Sequence, residues 1–371
     1  MRQFTEGYLS LYRLSSDAVY RHTPQKHQYL ILPVQMLASL YFIPLTHEEG
    51  HRSVLTNLSI GSVSDPLFKR GVAKVVGVTD LTLQHLRDTN LPEYIRLHTA
   101  GLESDYMLTK REQQLVAFGQ EKLKNVIGDF YPRRLGIAFY FISSAFSTKN
   151  HIEAEEGNEL ERDIVGDDIR GAVRHLHRPT DSFYRYTNYA DLLPNERKYI
   201  RKVGFWSLLN IANPMLFGKS TFAMTQNLSM SFGLGYILVP FGTMAEENIW
   251  ISYRNNNNIS LCVRQYSNQR NTFWGAELAL FDKLIGRHCA VSGSVQGWKQ
   301  PQDLSFTTNK GTLGGAAMLR LGYRMYGKTS SPFQWLSVDG NVRVKTEGFI
   351  PEDPSLKSAT NLAIGISVCP N

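Results

Sequence analysis

The sequence predicts an α+β chain. A mainly helical unit over residues 1–217 is followed by an antiparallel β-barrel of about eight strands over residues 218–371. Three observations carry this. Up to residue 217 the apolar residues come in long runs or at helical spacing. From about residue 228 they fall on alternate positions. The segments between the alternating runs carry turn residues.

In the first unit, Tyr29 to Leu45 is apolar on nearly all sides, so a helix there is expected to be buried in protein or lipid. Pro33, Gln35 and Pro44 weaken it as a membrane span. Met107 to Phe130 reads as one amphipathic helix, with Leu108, Leu115, Val116, Phe118, Leu123, Val126 and Ile127 among Lys, Glu and Gln. Leu135–Phe146 and Phe205–Phe217 are further apolar runs. Between them lies an acidic stretch holding Glu153, Glu155, Glu156, Glu159, Glu161, Asp163, Asp167 and Asp168, then a basic one with Arg170, Arg174, His175, His177 and Arg178. Opposed charges of this kind are expected to form solvated loops and helix faces.

The alternating runs are Met230–Leu238, Ile249–Tyr253, Ile259–Val263, Trp274–Leu280, Cys289–Val295, Leu313–Met325, Leu336–Val344 and Leu362–Val368. Turn chemistry separates them at Asn255–Asn258, Asn268–Asn271, Gly327–Pro332 and Pro351–Ser358. Eight such strands in about 150 residues suggest a closed barrel of the outer-membrane type. Arg254, Arg264, Glu277, Arg320, Arg324, Asp339, Arg343 and Lys345 occupy the opposite positions. Alternation does not say which face points inward.

Composition narrows the function classes. The chain has 371 residues, 42% hydrophobic and 20% charged, with net charge +7. Its mean hydropathy of -0.25 argues against a polytopic helical membrane protein. The Lys and Arg residues are interspersed with acids, so no nucleic-acid partner is expected, whereas an anionic lipid surface suits the charge. Cys262, Cys289 and Cys369 match no metal spacing and read as small apolar fillers. Residues 1–28 lack the pattern of a secretory signal.

The chemistry-bearing motif is His47-Glu48-Glu49-Gly50-His51, which reads H-E-x-x-H. On a helix the two imidazoles share a face and reach one metal ion, and Glu48 is placed to take a proton from water there. A catalytic zinc needs a third protein ligand and an open position. The segment Leu97-His98-Thr99-Ala100-Gly101-Leu102-Glu103-Ser104-Asp105-Tyr106 resembles the second helix of gluzincin-type zinc metallopeptidases, in which a Glu is the third ligand and an Asp lies on the same helix. That resemblance implies a Zn2+ ion held by His47, His51 and Glu103, with Glu48 as catalytic base and Asp105 orienting one imidazole. Glu103 and Asp105 stand two apart where the family has four. His98 and Asp168 are the alternative third ligands, and Tyr106 and His98 are the candidates for an oxyanion partner.

The resulting expectation is a membrane-associated zinc metallopeptidase acting on peptide or protein substrates. Outer-membrane lipid would be its neighbour, and it would sit at the outer membrane or in the periplasm of a bacterial envelope. A non-enzymatic barrel or envelope-assembly protein with a structural metal site is the alternative. His288 and Ser292 share a strand face and raise a weaker lipid-hydrolase reading.

Overall fold

The computed structural model describes all residues except 66–72, 149–156, 255–256, 328–332 and 371. Glu153, Glu155, Glu156 and parts of two expected turns lie outside the described residues. The helical half comprises α1 (Arg2–His22), α2 (Ile31–Asn57), α3 (Asp80–Thr89), α4 (Leu91–Ala117), α5 (Leu123–Phe146), α6 (Asp168–His177) and α7 (Pro194–Trp206). A small antiparallel pair, β1 (Val63–Asp65) and β2 (Lys74–Val76), lies between α2 and α3.

Helix α4 is the axis of the molecule. Asn90 caps it by accepting from the Glu93 N–H, and Pro92 sits in its first turn, where no amide partner is needed. Nearly every residue from Glu93 to Thr109 is buried. It packs against α2, α5 and α6 on one side and against the sheet on the other. The single helix expected over Met107–Phe130 is in fact two. Gly119, at φ +66°, turns the chain after α4, and α5 begins at Leu123.

The C-terminal half is a meander of β3 (Phe222–Thr225), β4 (Leu228–Val239), β5 (Gly242–Tyr253), β6 (Asn257–Ser267), β7 (Thr272–Ile285), β8 (Cys289–Pro301), β9 (Gly311–Tyr326), β10 (Phe333–Lys345) and β11 (Ala359–Pro370). Each strand pairs antiparallel with the next, in one nine-stranded sheet. This corrects the expected eight-stranded closed barrel. All eight expected strands form, β3 adds a ninth, and the sheet is open, with β3 and β11 at its edges. Closure needs the first and last strands to pair along their length. β3 has four residues and β11 has twelve.

One face of the sheet receives α4. Gly235 leaves room for the Tyr106 ring, which a Cβ there would overlap. Tyr106 Oη donates to Glu246 Oε1 at 2.7 Å, as does Lys110 Nζ at 2.7 Å. Arg264 bridges Glu246 and Glu277 at 2.7 and 2.6 Å. The charged positions therefore point inward. The alternate apolar positions, among them Leu278, Val295, Leu319 and Ile364, are exposed on the outer face.

One hydrophobic core crosses from helices to sheet. Ile95, Leu102 and Tyr106 of α4 join Ile137 and Phe141 of α5, Ile169 and Val173 of α6, and Tyr236, Tyr266 and Trp298 of the sheet. The core is continuous across residue 217.

Candidate metal centre

Helix α2 carries the motif in its C-terminal half, with the His47 and His51 ring centroids 5.0 Å apart. α2 crosses α4 at unusually short range because two glycines face the crossing. A Cβ on Gly50 would overlap the Ala100 carbonyl. A Cβ on Gly101 would lie within 2.5 Å of both the His47 and His51 Nε2 atoms. The backbone at Gly101 thus forms a floor beneath those two nitrogens.

The third group comes from α6. Asp167 caps that helix by accepting from the Arg170 N–H at 2.9 Å, and Asp168 follows in the first turn. Asp168 Oδ2 lies 3.0 Å from His47 Nε2 and 3.4 Å from His51 Nε2. One ligand atom from each of His47, His51 and Asp168 falls within 4.8 Å of the others. Two imidazoles and a carboxylate are a recognised catalytic zinc set, leaving one coordination position open.

The far side of each ring is anchored. His47 Nδ1 donates to Asp105 Oδ2 at 2.8 Å, and His51 Nδ1 donates to the Leu97 carbonyl at 2.6 Å. Those acceptors turn both Nε2 atoms toward the shared point, as outer partners of metal-binding histidines do. Asp105 is itself held by Arg133 Nη1 at 2.5 Å, and Arg133 continues to Asp129 at 3.1 Å. Tyr8 Oη donates to Asp129 at 2.6 Å. A buried chain of polar contacts thus ties His47 to α5 and α1.

Without a metal the acidic surroundings hold a proton on His51, which a metal ion would displace. Burial opposes charge on His51, but Asp168 outweighs it and holds the imidazole up to about 9. Burial would raise the Asp168 carboxyl, yet His51 and His47 hold it well below the usual carboxylate range. Glu48 behaves differently. Burial, with Asp163 and Asp168 adding to it, pushes its carboxyl up to about 8 against the pull of His51 and His47. A carboxyl tuned near neutrality is suited to accepting and returning a proton. Tyr140 of α5 stands beside the site, with its ring centroid 6.0 Å from that of His47 and its Oη accepting from the Asp168 N–H at 3.2 Å. Burial, reinforced by Asp168 and Asp167, raises its pKa well above the ordinary phenol value, so the hydroxyl keeps its proton.

The other expected residues lie elsewhere. Glu103 is fully buried, but its Oε1 accepts from Arg96 at 2.8 Å and from the Glu352 N–H at 2.6 Å. It is not among the three converging groups. Asp105 does take the orienting position, on His47. His98 packs over His175, ring centroids 5.7 Å apart, and burial lowers its pKa to about 4. Tyr106 faces Glu246 in the sheet. His288 Nδ1 meets the Arg324 carbonyl and Ser292 Oγ meets Asp282, so the pair has no mutual hydrogen bond. The three cysteines form no disulfide. Tyr140 and Arg133 lie in no recognisable motif, and only the packing of α5 brings them to the site.

No protein-family model matches the chain, and no curated protein or solved structure matches it.

Proposed function

We propose that the protein is a membrane-associated zinc metallopeptidase, with His47, His51 and Asp168 as metal ligands and Glu48 as general base. The observation that carries this reading is the convergence of three ligand atoms from α2 and α6 above Gly101, with the half-buried Glu48 adjoining His47 on the same helix. A zinc ion there would polarise a carbonyl and acidify a water. Glu48 would take the water's proton and return it to the leaving amine. Tyr140 would donate a hydrogen bond to the oxygen on which charge develops. Asp105 and the Leu97 carbonyl would keep both imidazoles in the tautomer with a free Nε2 lone pair.

Membrane association is supported by α2, part of the one helical stretch among the described residues that is long and apolar enough to cross a bilayer, Gln25–Asn57. Leu32, Val34, Leu37, Leu40, Tyr41 and Phe42 are exposed along it. A bacterial envelope membrane, with polypeptides as substrates, is the setting we propose.

The test is metal content and hydrolysis together. Purified protein should hold one zinc per chain, and Glu48→Gln should keep the zinc and lose peptide hydrolysis. Absence of zinc in a protein purified without chelators, with proteolysis unchanged in Glu48→Gln, rules the reading out.

A further inference from the structure

The polarity of the sheet is the reverse of a water-soluble one. Its buried side holds Glu246 (1% exposed) and Arg264 (4%), while its outer side shows Leu313 (80%), Leu362 (79%) and Ile364 (87%) to the surroundings. A contiguous apolar surface running over several strands marks an interaction with lipid or protein.

The two ends of this surface differ. At the end where β5 and β9 finish and β10 begins, Tyr253 on the outer side carries Arg254 over its ring at 5.0 Å, and Tyr326 and Trp335, which alternate onto the helix-facing side, carry Arg287 and Arg324 at 5.8 and 4.4 Å. Trp335 and Tyr326 are direct cross-strand neighbours. Aromatic rings with cations at one level are the pattern of a headgroup layer, and arginine suits its phosphates. Helix α4 points its C-terminal end the same way. Tyr106 meets β5, and Gln120, just past the helix, meets Asp282 near the end of β7.

Helix α2 runs antiparallel to α4. Thr46 meets Ser104, and His51 meets Leu97. Its exposed apolar stretch therefore starts toward the aromatic end, and His47 lies at the other. From Ile31 to His47 the helix rises ~24 Å, comparable with a hydrocarbon layer of ~30 Å.

We infer that a phospholipid bilayer covers the outer face of the sheet and the exposed flank of α2, with the Tyr/Trp/Arg rim at one headgroup layer and the metal centre at the level of the other, so that the substrates are polypeptides held at the bilayer surface. Lipid does not satisfy the open edges of β3 and β11, so within the bilayer those edges must pair with protein. This rests on the metallopeptidase reading for the substrate and on the sheet and α2 alone for the lipid contact.

Two measurements separate those parts. Full-length protein is diluted from detergent into vesicles of phosphatidylcholine and phosphatidylglycerol, and partitioning is compared with the double variant Leu362→Asp/Ile364→Asp and with Leu40→Asp on α2. Both should retain the wild-type circular dichroism and partition at least tenfold less. Unchanged partitioning of both overturns the lipid contact. Vesicle-bound protein is then given a pool of quenched-fluorescent random decapeptides, with or without an N-terminal palmitoyl chain. The lipidated pool should be cleaved at least tenfold faster, and Glu48→Gln should abolish the cleavage. Equal Glu48-dependent rates overturn the substrate assignment and leave the peptidase reading standing. No cleavage of either pool by zinc-loaded protein overturns both.

Discussion

Gly101→Ala separates a metal centre from a fortuitous cluster of polar groups. In an ordinary helix this change is favourable by ~1 kcal/mol. Here the new methyl would lie within 2.5 Å of both Nε2 atoms, where contact is ordinarily at 3.4 Å or more. The His47 and His51 nitrogens must then recede by about 1.1 and 0.9 Å, against a zinc-ligand tolerance of ~0.2 Å. Neither ring yields freely, because Asp105 and the Leu97 carbonyl hold them from behind at 2.8 and 2.6 Å. Disturbing one outer partner of a metal ligand weakens binding ~10- to 100-fold, so displacing two ligands at once should cost at least about 100-fold. At a zinc concentration of ~1,000 times the wild-type Kd, binding stabilises the fold by ~4.1 kcal/mol, and a 100-fold weaker site leaves ~1.4 kcal/mol. The zinc-dependent stabilisation should therefore fall by about 2.7 kcal/mol. Chelator competition measures the affinity, and denaturant unfolding with and without zinc measures the stabilisation. A Gly101→Ala protein that binds zinc within threefold of wild type refutes the geometry argued for the site.

Asp168→Asn and Glu103→Ala should part company. The first should lose most zinc affinity in the same competition assay. The second should keep it while losing ~3–5 kcal/mol of stability, because Arg96 is left buried without its carboxylate. Glu48→Gln should retain zinc and slow hydrolysis by ~10^2- to 10^4-fold, read as kcat on any cleaved peptide. Asp105→Asn should weaken zinc by ~10- to 100-fold, and an unchanged affinity would show that His47 needs no orienting partner. Acid should destabilise the fold in part through Glu352. Burial works to raise its carboxyl, but Arg111 and neighbouring arginines outweigh that and hold it below its ordinary 4.5. Its contribution is present above pH 4.5 and is lost as pH falls through the lower folded value. Urea midpoints should thus drop less steeply below pH 4.5 in Glu352→Gln than in wild type.

The sequence by itself determined the elements whose signal is local. His47, Glu48 and His51 share a helix face because i and i+4 always do, and the eight long strands follow from apolar residues on alternate positions. Local signals gave no account of what lies across space. Asp168, rather than Glu103, joins the histidines because a cap at Asp167 starts α6 beside α2. A buried carboxylate 117 positions from His51 leaves no spacing to read. Gly101 looked like any helical glycine until α2 crossed α4 above it. Tyr140 and Arg133 reach the site only through the packing of α5. The sheet's openness was equally invisible, because strand alternation is the same whether or not the first and last strands meet. Which side faces inward was also undetermined by period two. The tertiary structure decided it, by burying α4 with Tyr106 and Lys110 against Glu246 and so turning the charged side in and the apolar side out.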